Sequence, residues 1–344
     1  MTSPASVEIR LPTTPSIPGL RFRHFDRDAD LRGMAAANNA ARLAYGAEEL
    51  VDVESMRNDY ANLTNSDPHD DVLIVELDGR IVGYGRVEVA DQTDGSVAVE
   101  TIALLEPGLS GRGIEATVLD WMEGRARALA VSLPADRERW LSAFMWDANE
   151  VAGRLFEVRD FRPVRRFYEM VRPTLDDIPD APLPDGFEIR PVTRADLRAV
   201  WEADVEAFRD HWGETDETEA AWRRFSGDPR HDPALFVVAF AGHEIAGHVL
   251  NIIDETENHE RGRLVGILDS VATRAPYRQR GLARALICRS LALLRERGMT
   301  SATLGVDVDN ANRALHLYES CGFEVSSSST AWRRPIDELL EVSR

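Results

Sequence analysis

The stretch Arg278-Gln279-Arg280-Gly281-Leu282-Ala283-Arg284 holds the residue types of an anion site. It opens a segment of helical periodicity, and a helix start presents backbone N–H groups that have no partner inside the helix. The helix dipole favours negative charge at the same end. Gly281 lets the backbone come close to a ligand, and Ala283 keeps the first turn small. Arg278, Arg280 and Arg284 add positive charge beside it. A pyrophosphate is the group that such a cradle fits. The bland alternative is a solvated arginine-rich helix start that binds nothing. The two thiols, Cys288 and Cys321, have no metal-type spacing, and no His or Asp pattern accompanies Cys321. Both read as small buried side chains rather than ligands or nucleophiles, so no metal is expected.

The elements that must carry this chemistry can be read around it. Residues 264–273 form an apolar strand that leads into the cradle. From Leu282 to Arg297, Ala283, Leu286, Ile287, Ser290, Leu291 and Leu294 fall on one helical stripe, and Gly298 is a natural stop. Ala302, Leu304, Val306 and Val308 then alternate with Thr303, Gly305 and Asp307, the period of a half-buried strand. A short helix, Asn312 to Cys321, precedes Gly322-Phe323.

The same order is written earlier in the chain. Gly19 and Gly186 open matching Phe- and Arg-containing segments, each followed by a helical stretch, 28–39 and 193–208. Asp78-Gly79 and Ala241-Gly242 each lie between two apolar runs, a hairpin signal. Gly113 matches Gly281, and Phe156 matches Tyr318. These four pairs lie 162 to 168 residues apart, which points to a tandem duplication of one α+β domain. The expected organisation is a flexible tail at 1–17, a first domain at 18–172, a Pro/Asp-rich linker at 173–186 and a second domain at 187–344. In each domain a mixed, mostly antiparallel sheet is flanked by helices.

Composition limits the partners. The chain has 344 residues, which suits two domains. Hydrophobic residues make up 44% and charged residues 29%, a globular mixture that excludes a disordered, collagen-like or disulfide-framed chain. All 40 basic residues are arginine, against 59 acidic ones, for a formal net charge of −19. Such a surface repels phosphate backbones and anionic lipids, so neither nucleic acid nor membrane is an expected partner. A cationic substrate is compatible with it. The absence of lysine removes Schiff-base chemistry. No apolar run approaches 18 residues, and the expected location is the cytoplasm.

The cradle and the segment from Asn310 to Phe323 together resemble two motifs of the GNAT superfamily of N-acetyltransferases. The resemblance covers the second half in motif and the first half in layout. It implies acetyl-CoA as cosubstrate and an amine, small-molecule or peptide, as acceptor. It implies that backbone groups of Val271, Ala272 and Thr273 hold the pantetheine arm, and that Gln279 through Arg284 hold the pyrophosphate with Arg278 alongside. Asn310 is the better match for a further contact to the arm, with Asn312 its rival. Tyr318 takes the role of general acid toward the leaving thiolate. Asp269, on the strand before the cradle, is the preferred base, although strand alternation could point it away; Glu255, Glu257, His259 and Glu260 are weaker candidates. Phe208, His211 and Trp212, among many acidic residues, suit an amine by ion pairing and cation–π contact, or else belong to the core and a solvated face.

The first half departs where the chemistry lies. Its cradle reads Ser110-Gly111-Arg112-Gly113-Ile114-Glu115, and Phe156 replaces the tyrosine. A carboxylate at Glu115 opposes a pyrophosphate, and Phe156 has no proton to give. The first domain is therefore expected to be non-catalytic. A CoA-binding sensor or a scaffold without turnover is the alternative for the whole chain. Covalent duplication can replace a dimer, so a monomer or a homodimer is expected.

Overall fold

The structure, a computed structural model, describes residues 7–213, 216–309 and 314–341. It divides into two compact units. The first comprises Met1–Arg166, Gly213–Thr215 and Ser328–Arg344; the second comprises Phe167–Trp212 and Asp216–Ser327. The ranges expected from chain continuity, 18–172 and 187–344, differ from these because the last strand of each half completes the unit of the other half.

The first unit begins with β1 (Leu20–His24), α1 (Asp28–Ala44), α2 (Val53–Ala61) and α3 (Pro68–Asp71). The hairpin β2 (Val72–Leu77) and β3 (Arg80–Asp91) follows, turned at Asp78-Gly79 as the sequence predicts. Then come β4 (Val97–Leu105), α4 (Ile114–Ala130), β5 (Arg139–Trp146) and α5 (Glu150–Val158). β1 to β4 pair antiparallel in sequence order, and β5 joins β4 in parallel. One face of the sheet buries Leu31, Met34 and Ala35 of α1. The other buries Ile114, Val118, Leu119, Met122 and Ala126 of α4, a stripe at helical spacing.

The strand β6 (Arg162–Arg172) leads to β7 (Glu188–Arg190), α6 (Leu197–Phe208), α7 (Glu219–Gly227), β8 (Val237–Ala241) and β9 (Glu244–Ile252). After these come α8 (Glu255–Arg261), β10 (Val265–Thr273), α9 (Leu282–Glu296), β11 (Ser301–Asp307) and α10 (Ala314–Ser320). The chain closes with β12 (Glu324–Pro335) and α11 (Ile336–Glu341). In the second unit β7 to β10 are antiparallel neighbours, β11 lies parallel to β10, and residues 167–172 of β6 pair antiparallel with β11. In the first unit, residues 329–335 of β12 take the equivalent place beside β5. Each unit therefore repeats one six-stranded plan.

Residues 7–17 are not a loose tail. The Ile9 N–H donates to the Phe22 carbonyl at 2.7 Å, and the Thr117 hydroxyl donates to the Thr13 carbonyl at 2.6 Å. Ile9, Leu11 and Ile17 pack on the first core. The apolar residues supply the anchor, and the prolines hold the backbone extended. Residues 15–19 also echo residues 182–186, since a Cβ added to Gly113 would lie 3.6 Å from Pro15 and one added to Gly281 3.9 Å from Pro184.

Because Trp332, Ile336 and Leu339 belong to the first core, the chain's C-terminal segment should stabilise the N-terminal unit. Ile336→Ala is expected to cost about 2–5 kcal/mol. Hydrogen exchange should show the lost protection in β4 and β5. Loss confined to β10 and β11 would contradict the strand exchange.

Candidate active site

The site grows from one strand pair. β10 and β11 are in register only from Val265↔Ser301 to Ile267↔Thr303, although β10 continues to Thr273 and β11 to Asp307. Beyond that point the strands part. Val271, Ala272 and Thr273 remain paired with β9 on one side and turn their other backbone edge to the opening. An extended ligand carrying amides can pair with such an edge.

β10 also carries a bulge. Its register with β9 shifts between Leu268 and Ser270, and Asp269 is the extra residue. Bulges re-aim side chains. Here Asp269 and Ser270 both meet partners from the α6–α7 side, where strict alternation would send neighbours to opposite faces. Asp269 Oδ2 lies 3.7 Å from His231 Nε2, and the Ser270 hydroxyl donates to Asp204 Oδ1 of α6 at 2.5 Å.

The cradle follows β10 as the sequence predicts. Gln279 and Gly281 adopt left-handed φ values of 61° and 81°, and α9 starts at Leu282. The left-handed turn makes glycine the favoured residue at 281. Its charges are arranged differently from the expectation. Arg278 donates to the Thr273 carbonyl at 3.0 Å, the Ala207 carbonyl at 2.9 Å and the Asp210 carboxylate. It braces the cradle against α6. Arg280 lies over the Phe187 ring, 4.4 Å from its centroid, and Arg284 donates to the Ser320 hydroxyl at 2.6 Å. Asn310 and Asn312 fall outside the described residues.

Tyr318 is 7% exposed and packs in the second core, its ring edge-on to Phe323. Burial, and then the neighbouring Cys321, push its phenol above its ordinary pKa. It therefore keeps its proton at neutral pH. Cys321 is fully buried and contacts Cys288. Glu257 is buried and paired with Arg261 and Arg263, which removes it from the base candidates.

Three carboxylate–imidazole pairs surround the opening. Besides Asp269–His231, Asp204 Oδ1 lies 2.9 Å from His248 Nε2, and Asp307 Oδ2 lies 3.8 Å from His211 Nε2. His248 is fully buried, and its Nδ1 has no hydrogen-bond partner among the described residues. His231 is also buried, and its Nδ1 lies 2.8 Å from the Phe225 carbonyl. Burial disfavours its charged form, but the hydrogen bond and charge of Asp269 outweigh that, so its pKa is raised. Phe208 stacks edge-on to His211 at 5.3 Å, and Trp212 meets Phe167 at 6.0 Å. These half-buried rings sit where β11 ends at Asp307. The sequence marks Asp204 only as one of the acidic residues around Phe208, His211 and Trp212; its pairing with His248, and the roles of His231 and Asp307, were not picked out, because partners 38 to 96 positions apart leave no local signal.

The first unit repeats the frame without these features. β4 and β5 also part, after Thr101↔Ala143, but β4 has no bulge against β3. Gly111 and Gly113 hold the same left-handed turn, with φ values of 74° and 89°. The Gly111 N–H, however, donates to Glu115 Oε1 at 2.8 Å. A carboxylate of the chain itself thus takes up an amide of this cradle. Phe156 lies in the core against Phe161 and Trp332. His24, His69 and Asp70, also in this unit, form one group of metal-ligand type among the described residues, with ligand atoms within 4.8 Å of one another, but the His24 Nδ1 already meets the His69 carbonyl at 2.7 Å. No helix among the described residues is long and apolar enough to cross a membrane.

Comparison with known proteins agrees with this geometry. Residues 197–323 match the acetyltransferase (GNAT) family. A mycothiol acetyltransferase of Salinispora tropica is 28% identical over 298 residues, covering 80% of this chain and 90% of the relative. Another, from Geodermatophilus obscurus, is 27% identical over 311 residues, covering 89% and 94%. A GCN5-related N-acetyltransferase from Sphaerobacter thermophilus superposes with a TM-score of 0.68 at 25% identity, covering 93% of this chain and 96% of that one. A tandem GNAT protein from the clavulanic acid biosynthesis pathway shares the fold, with a TM-score of 0.64 at 15% identity over 92% and 98%. Two copies of one plan, a cradle at the head of α9, a GNAT-family match over residues 197–323 and relatives along most of the chain's length together support a tandem GNAT N-acetyltransferase.

Proposed function

We propose that acetyl transfer takes place in the second unit alone, and that the amine attacks the thioester directly. The observation that carries this reading is the contrast between two cradles of the same backbone shape. The second has Ala283 where the first has Glu115, whose carboxylate already accepts from the cradle. Gln279 through Arg284 hold the pyrophosphate, and Arg278 keeps the loop in place. The free edge of Val271, Ala272 and Thr273 aligns the arm and the thioester, and orientation of this kind supplies much of the rate. Backbone N–H groups there face the developing oxyanion. Asp269, aimed by the bulge and backed by His231, receives the proton of the incoming amine. Tyr318, a phenol protonated at neutral pH, returns one to the leaving thiolate.

The three carboxylates with Phe208, His211 and Trp212 favour a cationic small-molecule or peptide amine. A narrower reading is the amine of a small cysteinyl metabolite, because the layout is similar to mycothiol synthase and the relatives carry the name mycothiol acetyltransferase. The experiment is CoA release from acetyl-CoA over a panel of amines that includes cysteinyl sugars. Binding without release on any acceptor would favour a sensor instead.

Tyr318→Phe should lower kcat about 10²–10⁴-fold and leave acetyl-CoA affinity unchanged. An unchanged kcat would remove Tyr318 from the mechanism.

The Asp269–His231 pair also sets a pH dependence. The folded-state pKa of His231 is raised above its ordinary value, so the pair's stabilisation is full below about pH 6.5. It is lost as pH rises through the folded value. Asp269→Ala should therefore destabilise the protein more at pH 5.5 than at pH 8.5 in urea titrations, and the His231 ring should titrate at lower pH by NMR. Equal losses at both pH values would contradict the pairing.

A further inference from the structure

The parting of β4 and β5 leaves a cleft in the first unit that opens to solvent. Val118, Leu119, Met122, Met145 and Phe156 line it with apolar surface. Tyr45, Ser110, Glu115 and Asn149 contribute the polar groups. Phe144 lines it too and is 49% exposed. Burial, opposed by a hydrogen bond with Ser110 and reinforced by the charge of Glu115, raises the Tyr45 phenol, so it stays a neutral donor. An apolar pocket with a few convergent polar groups is the usual form of a small-molecule site.

Two observations narrow the ligand. β4 pairs with β3 through Leu105, but its register with β5 ends at Thr101. Its backbone from Ile102 to Leu105 therefore offers an edge to an extended, amide-bearing molecule. At the mouth, Glu115 Oε1 accepts from the Gly111 N–H, the group that would otherwise face a phosphate oxygen. A phosphate brought there would lose that donor and meet a like charge. Resting on the reading of the first unit as a copy without transfer, we propose that this unit is a second ligand site, for an uncharged, amide-bearing chain with an apolar end and no phosphate. Glu115 is its specificity determinant, standing in for the phosphate that it excludes.

Pantetheine is the probe, because it carries amides and a thiol but no phosphate. It would be titrated calorimetrically into protein saturated with acetyl-CoA, so that the second unit is already filled. The expected result is one pantetheine site per chain. Ala103→Phe places a large ring on an exposed β4 position that lines the cavity, and should weaken this site tenfold or more while acetyl-CoA still binds. No pantetheine binding, or equal binding in Ala103→Phe, would overturn the proposal. Glu115→Ala copies Ala283 and should raise acetyl-CoA stoichiometry from one to two. A stoichiometry that stays at one would overturn the role given to Glu115. Failure of acetyl-CoA to bind the wild type would count against the transferase roles instead, because the pantetheine titration can be repeated without it.

Discussion

A parallel strand pair that holds for only a few residues and then separates is the feature on which the rest depends. Parallel strands bond evenly along their length, so separation leaves backbone groups that must find partners elsewhere. In the second unit β11 finds β6 on its outer side, and β10 keeps β9. The edges facing the opening remain, and a ligand that resembles a strand can satisfy them. The cradle at the head of α9 lies next in the chain after β10, so the free strand edge and the helix start follow one another directly.

Duplication shows which parts of this arrangement are framework and which are chemistry. Both units keep the parting strands, the left-handed turn before the long helix and the packed segment ahead of the first strand. They differ at the bulge, at Glu115 against Ala283 and at Phe156 against Tyr318. Each difference changes where charge or a proton can go and leaves the core intact. A unit freed from transfer can therefore keep its fold and adapt its cavity to another ligand.

Backbone geometry carried by adjacent residues was legible in the sequence. Gly281, Ala283 and the flanking strand and helix lie within one stretch, and their spacing reports the turn directly. The role proposed for Tyr318 rests on the family resemblance as well. The exchange of β6 and β12 was hidden because each strand reads alike whichever sheet receives it. The bulge was hidden too: alternation left the direction of Asp269 open, and only the register shift turns it toward His231. The Asp–His pairs join separate elements and have no spacing to betray them. Residues 7–17 misled because Pro, Ser and Thr suggest a tail, while Ile9, Leu11 and Ile17 are few but well placed.

The most direct test of the account is a calorimetric titration of acetyl-CoA into wild type, Gly281→Glu and Gly113→Glu. Both substitutions put the same side chain into equivalent left-handed turns, so general strain is matched. The account predicts one site per chain, abolished by Gly281→Glu and retained in Gly113→Glu. Two sites in the wild type, or a single site that survives Gly281→Glu, would contradict the claim that the second cradle alone receives the cosubstrate.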